Sequence, residues 1–327
     1  MGLQRVSMFL LVAAFAASCV SAAPLEPARV RPAKSASAPN VVVIQSFSSK
    51  LFEAPVESFV QQIDATVTLF DDARERKAAL VAAVRARKPD LIVTLGSQAT
   101  ALALKEFKTT PVLFTMVVNY RRLPLEGRDN VMGIALESST ASEFSQFKMV
   151  LPALEKSLAF YVPSQSGQIV DEARAELQKL GVDLKAVPVE SADQVKAEYA
   201  KHAGTVDGVW LLNDPALLKD KATFEYLRAQ CEKDQLPLLA SFSDDYARLG
   251  ALMSVSTDLS ALGSQAAAMA TRALQQGMSP AEIGVQPPIS TKLVVNVAVA
   301  RKLGVELRDD SLPFIDELLN EQHLAQP

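Results

Sequence analysis

Ten short apolar runs, each of four to six residues, recur between residues 41 and 256 and are separated by helical patterns. The first half carries VVVI 41–44, VTLF 67–70, LIVTL 91–95, VLFTMV 112–117 and VMGIAL 131–136. The second half carries LAFYV 158–162, LKAVPV 184–189, GVWLL 208–212, LPLLA 236–240 and LMSVS 252–256. Runs this short and this uniformly apolar predict strands of a mainly parallel sheet with both faces covered, since a half-exposed strand would alternate. The segments between them supply the cover: Val170, Ala173, Leu177 and Leu180 share one helical face, while Asp171, Glu172 and Lys179 point away. No stretch reads as a series of antiparallel hairpins.

The two halves also echo each other. DLIVTLGSQA at 90–99 has the pattern of DGVWLLNDPA at 207–216, and PVLFTMVVNY at 111–120 has that of PLLASFSDDY at 237–246, with Pro first and Tyr last in both. VVVIQSFSSKL from 41 and SLAFYVPSQSG from 157 share a strand followed by a Ser-rich loop. The offsets are 117, 126 and 116 residues. The expected fold class is therefore α/β, with two Rossmann-like lobes, each a parallel sheet flanked by helices, and a ligand cleft between them.

The chain's 327 residues suffice for two such units, and a hydrophobic fraction of 49% supplies their cores. A formal charge of −4, with Lys and Arg alternating with acids along the helices, argues against nucleic acid as a partner. The only histidines are His202 and His323, and the only cysteines Cys19 and Cys231. A zinc site of the usual kind needs three or four such ligands together, so no metal or other cofactor is expected. Cys231 is expected to be a packed thiol. Arg5 followed by the apolar run VSMFLLVAAFAASCV and then SAAP reads as a signal peptide, residues 1–22, too short for a comfortable span. Two readings of its processing stay open: cleavage after Ala22 or Ala23 into a soluble periplasmic protein, or lipid attached at Cys19. Residues 23–39, rich in Pro, Ala and Ser, read as a linker, with folding starting near Asn40.

In open parallel sheets the site lies at the carboxyl ends of the strands, where loops converge. Here those loops offer Ser48 and Ser49, Ser97 and Gln98, and Asn119 and Tyr120 in the first lobe. The second lobe offers Ser164 and Gln165, Asn213 and Asp214, and Phe242 with Asp244. Such side chains hydrogen-bond and stack on a small organic molecule and leave a carboxylate for an amine. Ser97 stands in L-G-S-Q-A with no histidine at any strand end, which is no nucleophile elbow; it reads as a helix cap or pocket residue. Asp214 and Asp244 are the one pair able to act as facing carboxylates, the basis of an alternative α/β hydrolase-like reading. Asp214 before Pro215 is equally an ordinary helix start. The final RDDSLPFIDELLNEQ reads as an acidic helix or loose tail.

An ordered series of segments resembles the bacterial ABC-transporter substrate-binding proteins related to the tryptophan/tyrosine-binding lipoproteins. It comprises PDLIVTLGSQATALA, TTPVLFTMV, RDNVMGIA, LAFYVPSQSGQIVDEARAELQKLGVDL, LPLLASFSDDYARLGALMSVSTDLSALGSQAAAMATRALQQG and KLVVNVAVARKLGVEL. The resemblance covers about residues 40–305. It implies the type I periplasmic-binding fold, with lobe 1 at 40–136 and 258–284 and lobe 2 at 137–257 and 285–320, joined by three crossovers. It further implies a monomer that closes on a small organic solute and delivers it to an ABC permease. A ligand-sensing adaptor for a membrane sensor kinase is the alternative on the same fold. Where relatives commonly show SHPALD and TDPV this chain has SSKLFE and VNYRR, so aromatic amino-acid binding does not carry over. Arg121 and Arg122 in the second of these loops suit either an anionic solute or a solvated surface.

Overall fold

In the computed structural model the chain is described over residues 25–32, 38–71, 76–219 and 221–320. The run read as a signal peptide, Cys19 and His323 lie outside these residues. The first lobe opens with β1 (Arg29–Arg31), β2 (Asn40–Gln45), α1 (Glu53–Gln62), β3 (Thr66–Phe70) and α2 (Lys77–Ala86). It continues with β4 (Leu91–Leu95), α3 (Ser97–Glu106), β5 (Val112–Thr115) and β6 (Val131–Ile134). The chain then crosses to α4 (Thr140–Val150), β7 (Lys156–Tyr161), α5 (Pro163–Lys179), β8 (Asp183–Pro188) and α6 (Ala192–His202). From there run β9 (Gly208–Leu211), α7 (Ala222–Lys233), β10 (Leu238–Ser241), α8 (Asp245–Arg248) and β11 (Met253–Thr257). It returns for α9 (Leu259–Gln275), α10 (Pro280–Ile283) and β12 (Val285–Gln286), then crosses again for β13 (Thr291–Asn296), α11 (Val297–Lys302) and β14 (Glu317–Leu319).

Among the described residues the strands form two sheets, in the orders β1-β3-β2-β4-β5-β6-β12 and β14-β13-β11-β10-β9-β7-β8. Five parallel strands dominate each, and their orders, β3-β2-β4-β5-β6 and β8-β7-β9-β10-β11, are the same when read by position in the lobe. The echo in the sequence is thus an echo in topology. Each strand faces two cores: Val41 and Val43 meet Val56, Phe59, Leu262 and Ala266 from α1 and α9, while Val42 and Ile44 meet Leu80, Val84 and Leu102 from α2 and α3. This is why the strands read as continuous apolar runs. In α5 the buried side chains are Ser166, Val170, Ala173 and Leu177, the face its spacing predicts.

The edges depart from expectation. Arg29–Arg31, inside the stretch read as a linker, pairs antiparallel with β3. β13 runs antiparallel to β11, and the tail read as a helix or loose end instead adds β14, parallel to β13, with Leu319 fully buried. In each case an open strand edge recruits a short segment whose own pattern is too brief to read. Cys231 is buried beneath Tyr199, and burial pushes its thiol up to about 12. No helix among the described residues is long and apolar enough to cross a membrane.

Candidate functional site

At the end of β2 the buried Ser46 reaches across to α3, its Oγ accepting the N–H groups of Gln98 (3.1 Å) and Ala99 (3.0 Å). Gly96 precedes α3 with φ +87°, and a Cβ there would stand 2.6 Å from Ser46 Oγ. The cap of α3 therefore comes from Ser46 on another strand, not from Ser97. This leaves the Ser97 and Gln98 side chains exposed on the first turn. Ser48 is also exposed, and Ser49 caps its own short turn by accepting the Leu51 N–H at 3.2 Å.

The loop after β5 bends through two left-handed residues, Met116 (φ 56°) and Asn119 (φ 48°). Phe242, at the place after β10 that echoes Met116, has φ 67°. A bulky residue adopts this backbone only where its surroundings hold it, and such positions gather at ligand sites. Asn119 is buried, donating its N–H to Glu137 Oε1 (2.7 Å) and its Nδ2 to the Gln165 carbonyl (3.1 Å). Arg121 pairs with Glu172 on α5 at 2.7 Å, and Arg122 donates to Gln165 Oε1 at 2.8 Å. The structure thus joins Asn119 to Gln165 across the lobes, packs Tyr120 against Phe114 within the first lobe, and turns Arg121 and Arg122 into interlobe clasps.

Three crossovers lie beside these contacts and are stitched together. Thr257 Oγ1 donates to the Leu136 carbonyl (2.5 Å), Ala135 N–H to the Gln286 carbonyl (2.9 Å), and Asp258 N–H to the Ser290 carbonyl (3.1 Å). Two cavities adjoin them. One, about 30 Å³, is lined by Glu137, Glu143, Trp210, Asn213, Ser241 and Phe242 among others. The other, about 220 Å³, is lined by Tyr120, Arg121, Glu137, Ile169, Glu172 and Glu176 among others. Glu137, Ser138, Thr140 and Ile169 line both. Beneath them a relay runs from Trp210 Nε1 to Ser241 Oγ (2.8 Å) and from Ser241 Oγ to Glu143 Oε2, while Ser138 Oγ donates to Glu143 Oε1 (2.8 Å). Burial pushes the Glu143 carboxyl up to about 7 against those two serine bonds, and burial also raises Glu137.

The two aspartates singled out in the sequence are both occupied. Asp214, nearly inaccessible, accepts Val162 N–H on Oδ2 (2.8 Å) and the N–H groups of Ala216 (2.9 Å) and Leu217 (3.1 Å) on Oδ1. It ties the start of α5 to its own loop. Asp244 faces Lys292 (3.3 Å) and Arg248 (3.5 Å), and both cations also bind Glu317. Its carboxylate already has two counter-charges. Ser164 is exposed in the first turn of α5, while Asn213 and Phe242 reach the small cavity. A further cavity of about 250 Å³ lies by the start of β10 and the end of antiparallel β13, the side of the sheet away from the strand-end loops.

Sequence reasoning missed Ser46, Glu137, Ser138, Glu143, Trp210 and Ser241. The acids sit in ALESSTASE, which carries no motif, and Ser46 acts on residues more than fifty positions away. Only the strand-then-polar-loop rule points to Ser46, whereas the crossover residues leave no periodic trace.

A family model described as ABC transporter substrate binding protein matches residues 49–317. Among solved structures, a ligand-free, open substrate-binding protein with adhesive properties from Clostridium difficile aligns with TM-score 0.73 and 18% identity, over 86% of this chain and 100% of that one. The ABC domain from Streptococcus pneumoniae in complex with L-Trp aligns with TM-score 0.58 and 18% identity, over 85% and 100%. A conserved domain protein from Vibrio cholerae aligns with TM-score 0.58 and 19% identity, over 86% and 99%. A search of curated proteins finds no match. These likenesses show the fold, two mostly parallel sheets in two lobes of the type I periplasmic-binding kind. With the family model matching most of both lobes and the crossovers between them, this chain belongs to the ABC transporter substrate-binding protein family and has its solute-binding role.

Proposed function

We propose that the chain captures a small organic solute where the strand-end loops of its two lobes face each other, and hands it to an ABC permease without transforming it. The observation that carries this reading is the clasp of Asn119, Arg121 and Arg122 onto α5 beside the stitched crossovers. Such an arrangement lets lobes rotate as bodies about a short hinge, and a solute that contacts both shifts the balance toward closure. Ser48, Ser97 and Ser164 stay exposed on the loops of the two lobes, which suits them to meet a solute on closing. The moving bodies are residues 40–136 with 258–284, and 137–257 with 285–320. Residues 1–22 act as an export signal, which places the mature chain outside the cytoplasm, where a binding protein can feed a permease. With Asp214 held by three backbone N–H groups, the facing-carboxylate chemistry of a hydrolase lacks its second group.

Equilibrium dialysis of the purified protein against a mixture of amino acids, amines, short acids, sugars and nucleosides, read by mass spectrometry, tests the reading. Small-angle scattering with the retained solute accompanies it. At least one solute should be retained unchanged and should reduce the radius of gyration. Conversion of a retained solute, or retention with no change in shape, would overturn it.

A further inference from the structure

The two cavities beside the crossovers are rich in carboxylates and poor in cations. Glu137, Glu143, Glu172 and Glu176 surround them, and Arg121 is the one cation among their lining residues. Most of these charges are already engaged. Glu172 holds Arg121, Glu176 Oε2 accepts the Ala141 N–H at 2.8 Å, and Glu143 accepts from Ser138 and Ser241. Two acceptors are not engaged: Glu137 Oε2 and Asn119 Oδ1 are both buried and have no hydrogen-bond partner. The residues that carry them are joined by the 2.7 Å bond from the Asn119 backbone N–H to Glu137 Oε1, so the two unpartnered oxygens lie on directly bonded residues, with Glu137 lining both cavities. Asn119 is only 8% exposed, and its amide orientation is set by the Nδ2 bond to the Gln165 carbonyl, which leaves the oxygen without a donor.

A buried carboxylate requires counter-charge, and a buried amide oxygen requires a donor. Water answers the second need alone. A quaternary ammonium answers the first alone, because it carries no N–H. A primary or secondary ammonium answers both. Resting on the solute-receptor reading above, we propose that Glu137 Oε2 and Asn119 Oδ1 receive the protonated primary or secondary amino group of the solute. The cavity of about 30 Å³ on one side of Glu137 has room for one or two water-sized groups. The cavity of about 220 Å³ on its other side, walled by Tyr120, Ile169 and Pro287, takes the less polar remainder. Because Asn119 stands on the loop of one lobe and is bonded to α5 of the other, an ammonium held there also bears on how the lobes sit together.

The test is equilibrium dialysis of the full protein and of Glu137→Gln against a defined mixture. It contains 2-phenylethylamine, putrescine and L-leucine, their nitrogen-free counterparts 2-phenylethanol, 1,4-butanediol and 2-hydroxy-4-methylpentanoate, and choline, ribose and adenosine. The parent should retain one or more of the ammonium compounds at least tenfold over its nitrogen-free counterpart and should not retain choline. Glu137→Gln should lose that retention tenfold or more, while its melting temperature without solute is no lower than the parent's. Should Glu137→Gln not fold, Asn119→Gly carries the test: it keeps the left-handed backbone, removes the second acceptor, and should weaken retention threefold or more. Retention of only a nitrogen-free compound, or equal retention by parent and variants, overturns the ammonium site and leaves the receptor reading standing. Retention of nothing by any of them sinks both.

Discussion

Glu143 shows how one buried side chain sets the pH behaviour of the fold. Its carboxyl, ordinarily near 4.5, is pushed up to about 7 by burial, with the Ser241 and Ser138 hydroxyls opposing. A raised acid favours the protonated native state, so its stabilising contribution is complete below the unfolded pKa and is lost as pH rises through about 7. The swing corresponds to about 3 kcal/mol at most. Glu143→Gln, which mimics the protonated form, should match the parent in urea unfolding at pH 4 and exceed it at pH 8. An equal difference at both pH values would show that Glu143 does not titrate in this window. Asp214 plays a purely geometric part, its two oxygens accepting three backbone N–H groups. Asp214→Asn turns an amide N–H toward a backbone N–H and should cost about 1–3 kcal/mol, read as a lower urea midpoint with unchanged slope. Residue roles of this sort were only half legible. Asp214 before Pro215 announced a cap, but its hold on Val162 depends on a strand fifty residues earlier. Asp244 looked like a free anchor because Lys292 and Glu317, which share its ion cluster, are remote in sequence.

At the scale of elements, α1 and α9 approach each other closely in the first lobe. A Cβ at Gly263 would lie 2.2 Å from the Pro55 carbonyl oxygen, a backbone atom that cannot swing aside. Ser58 and Ser264 share a 2.8 Å hydrogen bond along the same seam. Gly263→Ala should force the helices apart and destabilise the protein by about 1–3 kcal/mol. A melting temperature within a degree of the parent would mean that the seam is slack. The ten parallel strands were readable because burial on both faces makes most of them apolar runs, the half-exposed edge strand β8 being the weakest of the set. The pieces that complete the sheets, β1, β12, β13 and β14, were not, since their short or mixed patterns gain meaning only from the edge they meet. The same limit hid the α3 cap: Ser97 has the residue type of a cap and the position of a first helical residue, and only the approach of β2 brings in Ser46.

For the whole molecule, the contacts of Arg121 and Arg122 with α5 are the ones expected to limit opening of the proposed cleft. Arg121 and Glu172 are partly exposed, at 30% and 44%, so the pair is worth about 0.2–1 kcal/mol, up to roughly a fivefold shift in the balance of lobe positions. Arg121→Ala with Arg122→Ala should raise the radius of gyration in small-angle scattering, and added salt should move the parent the same way. A parent and double variant of equal radius would show that these contacts do not hold the lobes. The repeated strand order was legible from the Pro and Tyr spacing of the two halves, whereas the acidic crossover cavities were not.

The return of α9 to the first lobe has a consequence in time. The face of β2 and β4 that carries Val41, Val43 and Val93 is covered in part by Leu262, Ala266 and Met269, which the ribosome adds only after the whole second sheet's central strands. The first lobe to be synthesised is therefore among the last parts to be sealed, and until then its apolar face lies open. A chain ending at Thr257 should be cut by protease within residues 41–95, and extension to Gln275 should slow cleavage there, while the second lobe stays open until β13 is added. A chain with this order of assembly stays threadable for most of its synthesis, which is the condition that the export proposed above would require.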